Sequence, residues 1–158
     1  DGKRRKNHRY LIGLFDVLKS AGKSYRILFD KKGRIMVSEI SEKESTIKPC
    51  KILGKTALGK DKIQFNLHDG KNLIVNVDAK VGDTLLLKIP QQEVIETLPL
   101  KKGATVFLTK GKHSGDVGVF KEIKKEEAIY SKDNQDIETA KEYLFVIGKE
   151  KALLEIKN

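Results

Sequence analysis

The residues in this sequence best suited to binding chemistry are cations set among glycines. Lys110, Lys112 and His113 share a short loop with Gly111, Gly115 and Gly118, and Asp116 is the one acid in it. Glycine lets a backbone adopt positive φ and come close to a partner. Cations on such a loop make phosphate the natural ligand. Gly118 lies between Val117 and Val119, where a side chain would crowd a neighbouring strand, so it is expected to be architectural. The loop tip from Lys110 to Ser114 is the part free to face a ligand.

A second cationic group begins the sequence. Lys3, Arg4, Arg5, Lys6 and Arg9 fall within seven residues and run on to Tyr10. Arginine makes bidentate contacts to phosphate and stacks on bases, so this run is expected to contact RNA, whereas a solvated tail would leave it idle. Both groups lie in the basic parts of the chain. Residues 1–35 carry eleven Lys/Arg against three Asp, and residues 101–125 carry seven Lys against two acids. Residues 36–96 are balanced at nine against nine, which concentrates the formal net charge of +10 in two blocks. Clustered positive charge binds polyanions by releasing their condensed counterions.

Other chemistries find little support. Gly54-Lys55-Thr56 resembles the end of a phosphate-binding P-loop, but the required earlier glycine is replaced by Pro49 and no long helix follows. A turn between strands is the expected reading. His8, His68, His113 and Cys50 are scattered singly, without metal-ligand spacing, so no metal is expected. His68, beside Asp69-Gly70, reads as a hairpin-tip residue. No paired carboxylates or nucleophile grouping stands out, so neither enzymatic activity, nor a cofactor, nor a small-molecule substrate is expected. No apolar run approaches the roughly 18 residues of a membrane helix, and no membrane partner is expected. A single cysteine and no secretory signal pattern point to an intracellular protein.

The elements holding these loops are short and strand-like. Ala104 to Leu108 and Val117 to Ile123 flank the glycine-rich loop. Tyr25 to Phe29 and Arg34 to Ile40 flank a turn at Asp30-Lys-Lys-Gly33. Ser41 to Glu44 has a capping-box arrangement with room for one helical turn. Lys48 to Leu53 reads as a strand ending in a Gly54 turn. Ile63 to Leu67 and Asn72 to Val77 flank His68-Asp-Gly70, and Thr84 to Ile89 is apolar enough for burial on both faces. Glu93 to Leu98, Ala128 to Tyr130, Tyr143 to Ile147 and Ala152 to Ile156 read as further strands. Ser131 to Asp136 reads as a polar loop, followed by one helical turn over Glu138 to Glu142. Short strands at this spacing predict a mainly β protein of small barrels with little helix. Asp1-Gly2 is a hairpin-turn dipeptide with no strand before it, and no initiator methionine is present. The sequence is therefore expected to start inside a domain whose last pieces are residues 1–20. Residues 21–97 and 98–158 are expected to form two small β domains.

Gly111-x3-Gly115-x2-Gly118-Val119 after an apolar strand resembles a KOW motif. Such motifs occur in several ribosomal proteins and in transcription elongation factors of the NusG type, and the motif alone leaves both open. Asp1-Gly-Lys-Arg-Arg5 followed by Leu11-Ile-Gly-Leu-Phe-Asp-Val-Leu18 resembles the end of an S-four-type RNA-binding domain. Ile52-Leu-Gly-Lys-Thr56, Gln64-Phe-Asn-Leu-His-Asp-Gly-Lys-Asn72, Val81-Gly-Asp-Thr84 and Tyr143-Leu-Phe-Val-Ile-Gly-Lys149 are similar, in that order, to segments of the archaeal/eukaryotic-type ribosomal protein S-four family. The resemblance implies a cytoplasmic, structural, non-catalytic constituent of the small ribosomal subunit. Its implied partners are small-subunit ribosomal RNA and neighbouring ribosomal proteins. It also implies an SH3-like barrel for the KOW-containing part. The alternative, a KOW-domain elongation or RNA-processing factor, accounts for the loop but not for the ordered central motifs.

Overall fold

The computed structural model describes residues 2–59 and 62–154. Within them lie thirteen strands and two single 3-10 turns, so the fold is mainly β as expected. The first sheet has three antiparallel strands: β1 (Val17–Ser20), β2 (Lys23–Phe29) and β3 (Ile35–Ile40). Between β2 and β3 the turn closes where expected, with the Gly33 N–H donating to the Asp30 carbonyl at 2.9 Å. The Ser41 hydroxyl accepts from the Glu44 N–H at 3.2 Å and opens the 3-10 turn Glu44–Thr46, the single helical turn anticipated there.

The second sheet is built from β4 (Ile47–Gly59), β5 (Lys62–Leu67), β6 (Asn72–Ile74), β7 (Thr84–Lys88) and β8 (Glu93–Leu98), in the order β6-β5-β4-β7-β8. Here one expectation fails. Gly54 does not end its strand, and β4 runs on to Gly59. The first part of β4 pairs with β7 and the remainder with β5, with a register shift between Ile52 and Gly54. A bulge rather than a turn explains the glycine, because a Cβ at Gly54 would press on the Asn66 side chain at 3.3 Å. Expected turns at His68–Gly70 and Lys80–Asp83 are present, and β7 is buried on both faces from Thr84 to Leu87. The strand expected to reach Val77 ends at Ile74.

The third sheet contains β9 (Thr105–Leu108), β10 (Val117–Lys124), β11 (Glu127–Lys132), β12 (Gln135–Ala140) and β13 (Leu144–Gly148), ordered β12-β11-β10-β9-β13. The polar stretch Ser131 to Asp136 is not a loop. β11 continues to Lys132, Asp133 and Asn134 turn the chain with φ of 50° and 65°, and β12 returns. Two successive positive φ values suit Asp and Asn, which tolerate the left-handed region. The helical turn expected over Glu138 to Glu142 is displaced to the 3-10 turn Lys141–Tyr143, since pairing with β11 carries β12 to Ala140. Ala152 to Leu154 are not strand, and the rest of that expected strand lies outside the described residues, as does Asp1 of the Asp1-Gly2 turn.

Each five-stranded sheet wraps its own apolar cluster. Cys50, Ile52, Phe65, Leu67, Leu85 and Leu87 fill one, and Val106, Leu108, Phe120, Tyr130, Leu144 and Val146 fill the other. A further cluster joins all three sheets. Alternation along β9 and β13 sends Phe107, Phe145 and Ile147 away from their own sheet's cluster to meet Phe15, Leu28 and Leu154. The Phe15 ring lies 5.5 Å from Phe107 and 4.7 Å from Phe145, centroid to centroid. Burying each ring contributes about 2 kcal/mol. Of the apolar run Leu11 to Leu18, the second half therefore packs, while Leu11 is 90% exposed.

Candidate nucleic-acid interface

Residues 109–116 connect β9 to β10, and hydrogen bonds fix the loop from both ends. Leu108 and Gly115 are linked by N–H donation to a carbonyl at 2.8 Å, and the Leu108 N–H donates to Asp116 at 2.9 Å. The Thr109 N–H and hydroxyl both donate to the Tyr143 carbonyl. At the tip, Ser114 and Asp116 donate back to the carbonyls of Gly111 and His113. Gly111 has φ +83° and lies on the Tyr143 ring, which a Cβ would approach to 3.2 Å. Gly115 has φ +88°, and a Cβ there would overlap the carbonyl of Asp30 in the β2–β3 turn. At Gly118 a Cβ would sit 2.7 Å from the Ser131 carbonyl and 2.5 Å from the Tyr130 ring. Gly115 and Gly118 are thus required by close packing, and Gly111 by its left-handed backbone.

The loop's acid points inward. Asp116 is buried, accepts from Lys132 Nζ at 2.6 Å and from the Tyr130 hydroxyl at 3.4 Å, and lies 3.5 Å from His113 Nδ1. Burial beside that carboxylate raises the pKa of the Tyr130 phenol, which stays protonated and able to donate. Lys110 and Lys112 are exposed, and no ion pair holds either among the described residues. His113 is half-buried, with its ring oriented by Asp116. This arrangement leaves a positive tip on a fixed frame.

The N-terminal group is built differently. Lys3, Arg4, Arg5, Lys6 and Arg9 are all exposed and belong to no strand. One contact near them is distant, since Gly2 lies against the Pro90 ring, and the others are local. Arg5 lies 3.9 Å over the Tyr10 ring, and the Asn7 side chain and carbonyl accept from the N–H groups of Arg9 and Tyr10. No hydrogen bond or ion pair joins this group to the β9–β10 loop among the described residues.

Residues 21–94 match the model of ribosomal family S4e. The chain is 40% identical to small ribosomal subunit protein eS4 of Methanosphaera stadtmanae, over 99% of this chain and 68% of that protein. This chain belongs to the S4e family. It is also 37% identical to the eS4 protein of Methanocaldococcus jannaschii, over 99% of this chain and 70% of that one. A crystal structure of the 30S ribosomal protein S4e from Thermoplasma acidophilum superposes with a TM-score of 0.83 at 25% identity, covering 94% of this chain and 78% of that one.

In this S4e chain, buried polar groups tie the parts together. Lys48, 1% exposed, donates to Asp16 at 2.5 Å and to Asp69 at 2.9 Å. Although burial opposes it, this pairing raises the Lys48 pKa, and the same ion pair brings Asp69 down to about 2. Lys51 donates to the Glu142 and Leu144 carbonyls at 2.6 and 2.7 Å, joining β4 to the third sheet. Burial brings its pKa down to about 8. His68 does sit in its hairpin turn, but its ring is packed inside. It stands edge-on to Phe145 at 5.0 Å, its Nδ1 accepts from the Lys51 N–H, and its Nε2 faces the Leu14 carbonyl at 3.3 Å. Those partners require a neutral ring that donates through Nε2, and burial lowers its pKa accordingly. Burial pushes the Cys50 thiol up to about 12, which leaves it unreactive. Among the described residues no group of three or more His, Cys, Asp or Glu converges to hold a metal.

Sequence reasoning missed the neighbour of the β9–β10 loop. The β2–β3 turn, with Lys31, Lys32 and Arg34, lies directly against Ser114 and Gly115. Its basic, glycine-closed composition was visible, but a contact across more than 80 residues leaves no local signal.

Proposed function

We propose that this chain is a non-catalytic, structural constituent of the small ribosomal subunit that binds ribosomal RNA through two basic surfaces. Lys3, Arg4, Arg5, Lys6 and Arg9 form one, and Lys110, Lys112 and His113 form the other. The observation that carries this reading is the β9–β10 tip, where the lysines face solvent while Asp116 is turned inward onto Lys132. The names of the eS4 relatives support the same assignment. A positive tip held by backbone hydrogen bonds fits phosphates of folded RNA, whose shape rather than base sequence is recognised. The working location is the ribosome in the cytoplasm, with neighbouring ribosomal proteins as further partners.

A division of labour among residues 1–20, 21–97 and 98–158 belongs to this proposal. The middle part, charge-balanced over residues 36–96, holds the two basic surfaces in place, through the shared phenylalanine cluster and through Lys48 and Lys51. Sedimentation of cell extract tests the assignment. The protein is expected to travel with small subunits through high-salt washes. Travel with RNA polymerase would replace this reading by that of a KOW-domain elongation factor.

A further inference from the structure

Two basic turns from distant parts of the chain meet at one place. The β2–β3 turn brings Lys31 and Lys32, and the β9–β10 loop brings Lys110 and Lys112. Their backbones touch. Gly115 packs on the Asp30 carbonyl, and a Cβ on Gly33 would meet the Ser114 Cβ at 3.3 Å. Both glycines have positive φ, +72° at Gly33 and +88° at Gly115, which allows each turn to present bare backbone to the other.

The acids of both turns are already engaged. Asp30 accepts from the N–H groups of Lys32 and Arg34 and pairs with the Arg34 guanidinium at 2.8 Å, while Asp116 is held by Lys132. Lys31, Lys32, Lys110 and Lys112 are exposed, and no carboxylate pairs with them among the described residues. Four like charges on two touching turns repel one another. A row of phosphates reverses that repulsion, whereas an isolated carboxylate meets only one of the four.

We infer that the β2–β3 turn and the β9–β10 loop form a single composite phosphate-binding surface for folded RNA, with Lys31 and Lys32 as contacts alongside Lys110 and Lys112. The inference rests on the RNA-binding reading above and extends it to a second element. The surface exists only while the first and third sheets stay docked, so RNA binding is coupled to that docking.

The test uses the full chain and small-subunit ribosomal RNA, with affinity measured across a salt series. Lys31→Gln with Lys32→Gln is expected to lower the slope of log K against log salt by about 1.5, and Lys110→Gln with Lys112→Gln to lower it equally. Gly115→Ala, whose methyl would overlap the Asp30 carbonyl on a backbone held at φ +88°, is expected to weaken binding and to lower the urea midpoint together, so the two lysine pairs, which leave the backbone alone, carry the test. If Lys110 and Lys112 matter and Lys31 and Lys32 do not, the composite surface is overturned while the ribosomal assignment stands. If neither pair alters the slope, the composite surface fails and so does the β9–β10 loop as an RNA contact, while the N-terminal surface and the ribosomal assignment stand.

Discussion

The N-terminal basic segment and the β9–β10 loop offer phosphate the same chemistry on opposite constructions. The first has five cations in seven residues and little scaffold, with Arg5 resting on Tyr10 and Gly2 seated on Pro90. The second has two exposed lysines and one histidine on a loop fixed by backbone hydrogen bonds, three tightly packed glycines and a buried aspartate. Ordering the segment on RNA costs roughly 1–2 kcal/mol per residue fixed, whereas the loop has already met that cost in folding. Charge count should therefore govern how strongly the segment binds, and geometry should govern how accurately the loop docks.

Removing charge from the segment gives the largest expected effect. Replacing Lys3, Arg4, Arg5, Lys6 and Arg9 by Gln should reduce the salt slope of RNA binding by about 4. Folding stability should change by less than about 0.5 kcal/mol, because these side chains contact little. A drop in urea midpoint alongside the affinity would mean that the segment has a scaffold after all. Next comes the frame of the loop. Gly118→Ala forces a methyl into the Ser131 carbonyl and the Tyr130 ring and should cost about 2–3 kcal/mol, read by urea unfolding. An unchanged midpoint would remove the claim that the loop is preorganised by packing.

Asp116→Asn sharpens the comparison further. It weakens the hold on Lys132 and His113 and should cost about 1–2 kcal/mol of stability, with RNA affinity falling at fixed salt slope. A rise in affinity would show that charge, not geometry, limits the loop. The smallest effect concerns pH. The folded-state pKa of His68 lies below its ordinary 6.5, so the unfolded chain binds the proton first. Stability is then complete above about 6.5 and declines as pH falls through the folded value. Asp69 adds a second decline from 3.8 toward about 2, as its bond to Lys48 is lost. His68→Gln should flatten the first decline and leave the second.

Much of this was legible because its causes are local. Alternation with Asp69-Gly70 or Asp30-Lys-Lys-Gly33 at the tip announces a hairpin, and both hairpins are present. The glycine-rich loop announced itself by composition, and Gly118 proved to be packed as its position between Val117 and Val119 suggested. Misreadings arose where one residue type serves two geometries. Gly54 marks a bulge inside a long strand, and Asp133-Asn134 close a tight hairpin rather than open a loop. Least legible were contacts between distant segments. Neither the burial of His68 against Phe145 nor the seating of Gly115 on Asp30 has any signature in neighbouring residues.

The salt dependence of binding to small-subunit ribosomal RNA, measured in parallel for the unaltered chain, the five-site N-terminal variant and the Lys110/Lys112 variant, tests the central claim most directly. The account predicts a steep slope for the unaltered chain, a loss of about 4 from the segment and about 1.5 from the loop. A slope that is flat to begin with, or equal in all three proteins, would contradict it.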